Sequence, residues 1–123
     1  MDDVNIKRVI ILGVDGLSAE GFQKSEHPNL DIILQNGVLS LNTVVEAPSI
    51  TLPNWTSHLT SGGTEQHRVT SNNWTINSQN MPPIEQDELG YYPSIFKVLK
   101  EQIPTRNIIS YVRVLHSRRY HNC

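Results

Sequence analysis

Val9-Ile10-Ile11-Leu12-Gly13-Val14-Asp15-Gly16 is the stretch on which the fold turns. Its apolar part is rich in β-branched residues and runs on without alternating polar positions. Such a run predicts a strand buried on both faces, as in a parallel sheet. Asp15-Gly16 ends it with a turn signal, so a carboxylate sits at the strand's carboxyl end. Downstream, Pro28 opens a helical stretch in which Leu30, Ile33 and Leu34 share one face, and Asn36-Gly37 closes it. Residues 38–45 then read as a second extended segment, with Leu39, Leu41 and Thr43 alternating against Val38, Ser40 and Asn42. The order strand, helix, strand is that of a parallel α/β unit.

The composition changes after residue 46. Sixteen of the 34 residues from 47 to 80 are Ser, Thr or Asn, and only Glu65 and Arg68 are charged. Local hydrogen bonding, not charge, therefore has to organise this stretch. Thr51-Leu52-Pro53-Asn54-Trp55 has the form of a helix start, with Thr51 as cap and Pro53 in the first turn. Trp55 and Leu59 share a face, and Ser61-Gly62-Gly63 stops the helix. Residues 72–83 read as loop. Tyr92-Pro93-Ser94 opens a further helix carrying Ile95, Val98 and Leu99, Pro104 ends it, and residues 107–112 form a short buried-strand candidate. The fold class expected is α/β with a mainly parallel sheet.

The chain has 123 residues, ten Lys+Arg and twelve Asp+Glu, for a net charge of −2. This is enough chain for one domain with a core. A weakly acidic protein does not draw nucleic acid or anionic lipid through its overall field, so no nucleic-acid partner is expected. The one cysteine is Cys123, which excludes an intramolecular disulfide and a cysteine zinc cluster. Met1-Asp2-Asp3 is acidic where a secretory leader is basic, and the run 9–14 is too short for a leader core or a bilayer span. No membrane segment is expected, and the cytoplasm is the default compartment. From Arg113 onward the sequence loses apolar periodicity and turn logic. We read 113–123 as non-native sequence in preference to a basic tail, because a strand at 107–112 should lead into another element.

Two positions carry candidate chemistry. Asp15 lies where ligands bind in open α/β sheets, outside the strand's carboxyl end, and is placed to hold a cation. Capping of its own turn is the plainer role. Thr51 heads a helix whose free N–H groups and dipole favour a phosphate. A hydroxyl is a poor nucleophile until a metal lowers its pKa. Asn54 then stands one turn on, able to donate to a phosphoryl oxygen. A simple threonine cap with a surface asparagine is the plainer alternative.

Taken together, Val9 to Leu17, Asn36-Gly37-Val38, and Ala47-Pro48-Ser49-Ile50-Thr51-Leu52-Pro53-Asn54-Trp55 through Gly62 resemble the type I phosphodiesterase/nucleotide pyrophosphatase family of the alkaline-phosphatase superfamily. Residues 92–100 look like that family's next helix. The resemblance covers residues 8–112 and corresponds to the N-terminal part of a catalytic domain. It implies a three-layer α/β/α sandwich and a hydrolase of nucleotide or lipid phosphodiesters and pyrophosphates that uses two zinc ions. It further implies that Asp15 and Thr51 ligate one zinc, that Thr51 is the nucleophile and forms a phospho-threonine, and that Asn54 binds phosphate.

The family's remaining ligands, two Asp and three His, come from its C-terminal half. Here Asp87 is the one Asp after Thr51, and no Asp-His dipeptide occurs. One carboxylate and one hydroxyl fall short of the three or four protein ligands that zinc sites use. The chain is therefore expected to be a fragment without hydrolase activity of its own. Two other readings stand beside this one: a non-catalytic remnant that binds phosphate or a partner, and a phosphatase, sulfatase or phosphomutase branch with Thr51 in the same role. Of the remaining residues, His67 is read as structural, Trp55 as packing, and Trp74 as either packing or pocket wall. Asn54-Trp55-Thr56 and Asn73-Trp74-Thr75 match the glycosylation acceptor pattern, which has no force without a secretory route.

Overall fold

The computed structural model describes residues 8–112 and contains five short helices. The readings of the 113–123 tail, with His116, His121 and Cys123, lie outside the described residues. Helix α1 (Ala19–Lys24) starts at Ser18, whose hydroxyl accepts from the Gly21 N–H at 3.0 Å. Helix α2 (Pro28–Leu34) begins with the proline that marked it in the sequence. The two are joined by His27, which stacks on Phe22 with ring centroids 4.2 Å apart and bonds the Asp31 carboxylate at 2.8 Å.

Helix α3 (Thr51–Thr60) is the longest. Its cap is Ile50, in extended conformation, so Thr51 is the first helical residue and not the cap. It ends at Ser61, which takes the left-handed conformation at φ 60°. Helix α4 (Thr64–His67) follows at once, its start held by the Gln66 side chain accepting from the Gly63 N–H at 2.9 Å. Helix α5 (Ile95–Gln102) is capped by Ser94. Helix α3 packs against α4 and α5, and among the described residues no other helix pair is in contact.

The buried centre lies around α3 and α4. Pro53, Gly62, His67, Val69 and Pro83 are its buried residues. The loop after residue 80 is tied to it by Ile84 N–H donating to the Gln66 carbonyl at 3.0 Å. Asp87 organises the next turn, accepting from the Leu89 and Tyr91 N–H groups at 2.9 Å each.

The expected parallel sheet is not formed among the described residues. Segments 9–14, 38–45 and 107–112 contain no β-ladder. Val9 to Leu12 are 78–87% exposed, and Val38, Val44 and Ile109 stay close to fully exposed. The reason is a lack of partners. A strand buried on both faces needs a neighbour along each edge and a helix over each face. Helices α1 and α2, of six and seven residues, pack on no other helix, and their apolar residues Ile32 and Ile33 remain exposed.

Candidate functional site

Trp55 lies against the 9–14 run at Gly13. A Cβ added at Gly13 would fall inside the Trp55 indole, so only glycine lets the ring lie against the backbone there. Gly16 then turns the chain at φ 74°, a conformation that costs a side-chain-bearing residue roughly 1–2 kcal/mol. Between these two glycines stands Asp15. The result is that the Thr51 hydroxyl donates to Asp15 Oδ2 at 3.1 Å, across 36 residues of sequence. Both residues are exposed.

Asn54 faces elsewhere. Its Oδ1 accepts from the Glu46 N–H at 2.9 Å. Its Nδ2 lies 3.2, 3.0 and 3.0 Å from the carbonyls of Glu46, Pro48 and Ile50. An amide has two N–H hydrogens, so three carbonyls saturate it. The side chain expected to face a phosphoryl oxygen is turned onto the 46–50 loop, whose end presents Thr51.

A residue that sequence reasoning left in a loop stands at the start of α3 instead. Asn72 Oδ1 accepts from the Leu52 N–H at 2.8 Å. That bond fixes the orientation of the amide: its oxygen faces the helix start, and its NH2 makes no hydrogen bond among the described residues. With Leu52 so capped and Pro53 lacking an N–H, the first turn offers fewer free donors than a bare helix end. The repeated Asn72-Asn73 pair in a turn-rich stretch is the only sequence signal, and it does not tell which helix the side chain will meet.

His67 is 1% exposed. Its Nδ1 accepts from the Val69 N–H at 3.0 Å, so Nε2 carries the hydrogen and donates to Ser57 Oγ, also at 3.0 Å. Burial lowers its pKa, against the opposing pull of Glu65 and Glu46. This tautomer cannot take a proton from Ser57, so the pair ties α3 to α4 and is not a nucleophile–base couple. His58 donates from Nδ1 to the Asn54 carbonyl at 2.8 Å and is likewise engaged locally.

Two recesses flank α3. One, of about 220 Å³, is walled by Leu52, Thr56, His67, Val69, Trp74 and the tyrosine pair at 91–92. Trp74 thus proves to be a recess wall, tilted against Tyr91 at 6.2 Å. Its indole N–H is buried with no partner among the described residues. The other recess, of about 410 Å³, is more open, and its lining includes Glu46, Asn54 and His58.

The residues that could face a cation are Asp15 and Thr51. Among the described residues no group of three His, Cys, Asp or Glu side chains converges at metal-binding distance. Asp87, the one Asp after Thr51, is occupied by its own turn. Two oxygen donors do not fit a zinc ion, which takes three or four protein ligands. No helix among the described residues is long and apolar enough to cross a membrane.

No curated protein and no solved structure matches this chain. The sequence model described as type I phosphodiesterase / nucleotide pyrophosphatase matches residues 9–107, which include Asp15, Thr51, Asn54 and Asn72.

Proposed function

The chain belongs to the type I phosphodiesterase / nucleotide pyrophosphatase family, and we propose that it carries the nucleophile segment of a hydrolase cleaving phosphodiester or pyrophosphate bonds. The supporting observation is the 3.1 Å contact between the Thr51 hydroxyl and the Asp15 carboxylate at the first residue of α3. Thr51 Oγ is the attacking oxygen: a bond forms from Oγ to phosphorus, the bond to the leaving oxygen breaks, and the hydroxyl proton is released to solvent, with Asp15 orienting the hydroxyl. The Asn72 NH2 group supplies the donor to a phosphoryl oxygen. Asn54 acts as a positioning residue, holding the 46–50 loop that leads into Thr51. The recess beginning at Leu52 takes the apolar or planar part of a small phosphodiester or nucleotide.

The same geometry argues that this polypeptide alone does not turn over. A carboxylate is too weak a base to ionise an aliphatic hydroxyl. The pair orients the nucleophile and does not activate it. Zinc, the cofactor implied by the resemblance, would supply that activation, and it requires ligands beyond Asp15 and Thr51. We therefore read the chain as the N-terminal part of an alkaline-phosphatase-like α/β/α domain. A phosphate-binding remnant without catalysis is the second reading, favoured by the two-donor set.

Purified chain with added zinc is expected to hydrolyse a chromogenic phosphodiester no faster than the zinc blank. Turnover that Thr51→Ala abolishes would overturn the inactivity. The coding sequence downstream of Cys123 tests the assignment itself. Asp and His codons at metal-ligating spacing would support it, and their absence from every transcript would favour the remnant.

A further inference from the structure

Thr51 and Trp55 stand four residues apart on α3, one above the other on the same face. Gly13 and Asp15 stand two residues apart on the chain that meets this face. Each helix residue touches one of them. The Thr51 hydroxyl donates to Asp15 Oδ2 at 3.1 Å. The Trp55 indole fills the space that a Cβ at Gly13 would need, with its Cη2 and Cζ3 atoms nearest. Four residues of helix rise about 6 Å. Two residues of chain reach at most about 7 Å. The two contacts are therefore matched in length, and a ring seated on Gly13 sets Asp15 level with Thr51. The ring is half-buried. It is steadied by His58, whose own ring is tilted against it with centroids 5.7 Å apart and whose Nδ1 is held by the Asn54 carbonyl at 2.8 Å.

The hydroxyl bond alone is a poor clamp. Both of its partners are exposed, and water competes for a bond between exposed groups, so its net gain is small. Ordering the backbone of the turn at 15–16 costs conformational entropy that so small a gain does not cover. An aromatic ring laid on a glycine backbone removes apolar area from water and contributes what the bond lacks. We propose that Trp55 is a positioning residue for the nucleophile: its indole, seated on Gly13, holds the Asp15 carboxylate at the Thr51 hydroxyl. This role rests on the reading of Thr51 as the attacking group, and it goes beyond packing because it fixes the geometry of two other side chains.

Nuclear magnetic resonance of the whole chain tests this, with Asp15→Asn as the probe in more than one background. In the natural background Asp15→Asn is expected to shift the Thr51 methyl and amide resonances. No shift there would overturn the pairing of Asp15 with Thr51, and with it the site on which the hydrolase reading stands. In a Trp55→Ala background with unchanged helical circular dichroism, the same probe is expected to leave the Thr51 resonances unmoved. If Trp55→Ala does not fold, Gly13→Ala, which keeps the indole and displaces it, takes its place, and the response is again expected to be lost. A full Thr51 response in folded Trp55→Ala or Gly13→Ala chain would overturn the positioning role of Trp55 and leave the Asp15–Thr51 pair standing.

Discussion

At Gly13 a single hydrogen atom in place of a methyl group decides whether the candidate site exists. The Trp55 indole lies where a Cβ would stand. Gly13→Ala must push the ring off the backbone, an overpacking cost of about 1–3 kcal/mol. The expected outcome is a red-shifted Trp55 emission, measured in a Trp74→Phe background, and a lower melting temperature. His67 is the other decisive residue. Its folded-state pKa lies below the ordinary value, because burial disfavours the charged ring. The folded protein therefore binds fewer protons than the unfolded chain at acidic pH. Its contribution to stability is complete above the unfolded value of 6.5 and is lost as pH falls from there toward the lowered folded value. Protonation also sets an Nδ1–H against the Val69 N–H that it had accepted from. Thermal melts from pH 8 to pH 5 are expected to fall for the natural chain, and to fall less for His67→Gln.

At the scale of the element, α3 is positioned by two asparagines with different reach. Asn54 clamps the segment immediately before the helix, within eight residues of itself. Asn72 caps the Leu52 N–H from twenty residues away. Asn54→Ala deletes the clamp and leaves part-buried backbone groups without partners, at about 1–3 kcal/mol. Asn72→Ala removes one cap, at about 1 kcal/mol. Chemical denaturation is expected to rank them in that order. The helix signals that act within a turn were legible in the residues: Pro28 at the head of α2, Ser94 capping α5, and Ser61-Gly62 ending α3. The four-residue α4 was not, because the same Gly62-Gly63 that stops one helix also begins the next. The Asn54 orientation was not either. A lone asparagine at a helix start has the same sequence whether it faces a ligand or its own preceding loop.

At the scale of the molecule, the apolar side chains outnumber the places to put them. Val69 is the one buried hydrophobic residue apart from proline and glycine among the described residues, while the 9–14, 38–45 and 107–112 segments stand in solvent. Little apolar area is removed from water, and the slope of unfolding free energy against denaturant scales with area exposed on unfolding. The isolated chain, kept dilute, is expected to unfold over a broad denaturant range. Its slope should fall below the 1–3 kcal/mol/M in urea, approximately, of small two-state proteins. A steep transition would mean that these segments are buried after all.

Residue order alone determined the starts of α2 and α5, the stop of α3 and the turn after Val14. It also determined the kinds of donor and acceptor near Thr51, because each depends on atoms within one turn of chain. Tertiary structure decided the rest. It set the Asp15 carboxylate against the Thr51 hydroxyl, brought Asn72 to the helix start and spent Asn54 on a loop. It also left the most strand-like segment without a ladder. Those outcomes depend on contacts across tens of residues. A run of valine and isoleucine states that burial is favourable, but only neighbouring chain can provide it.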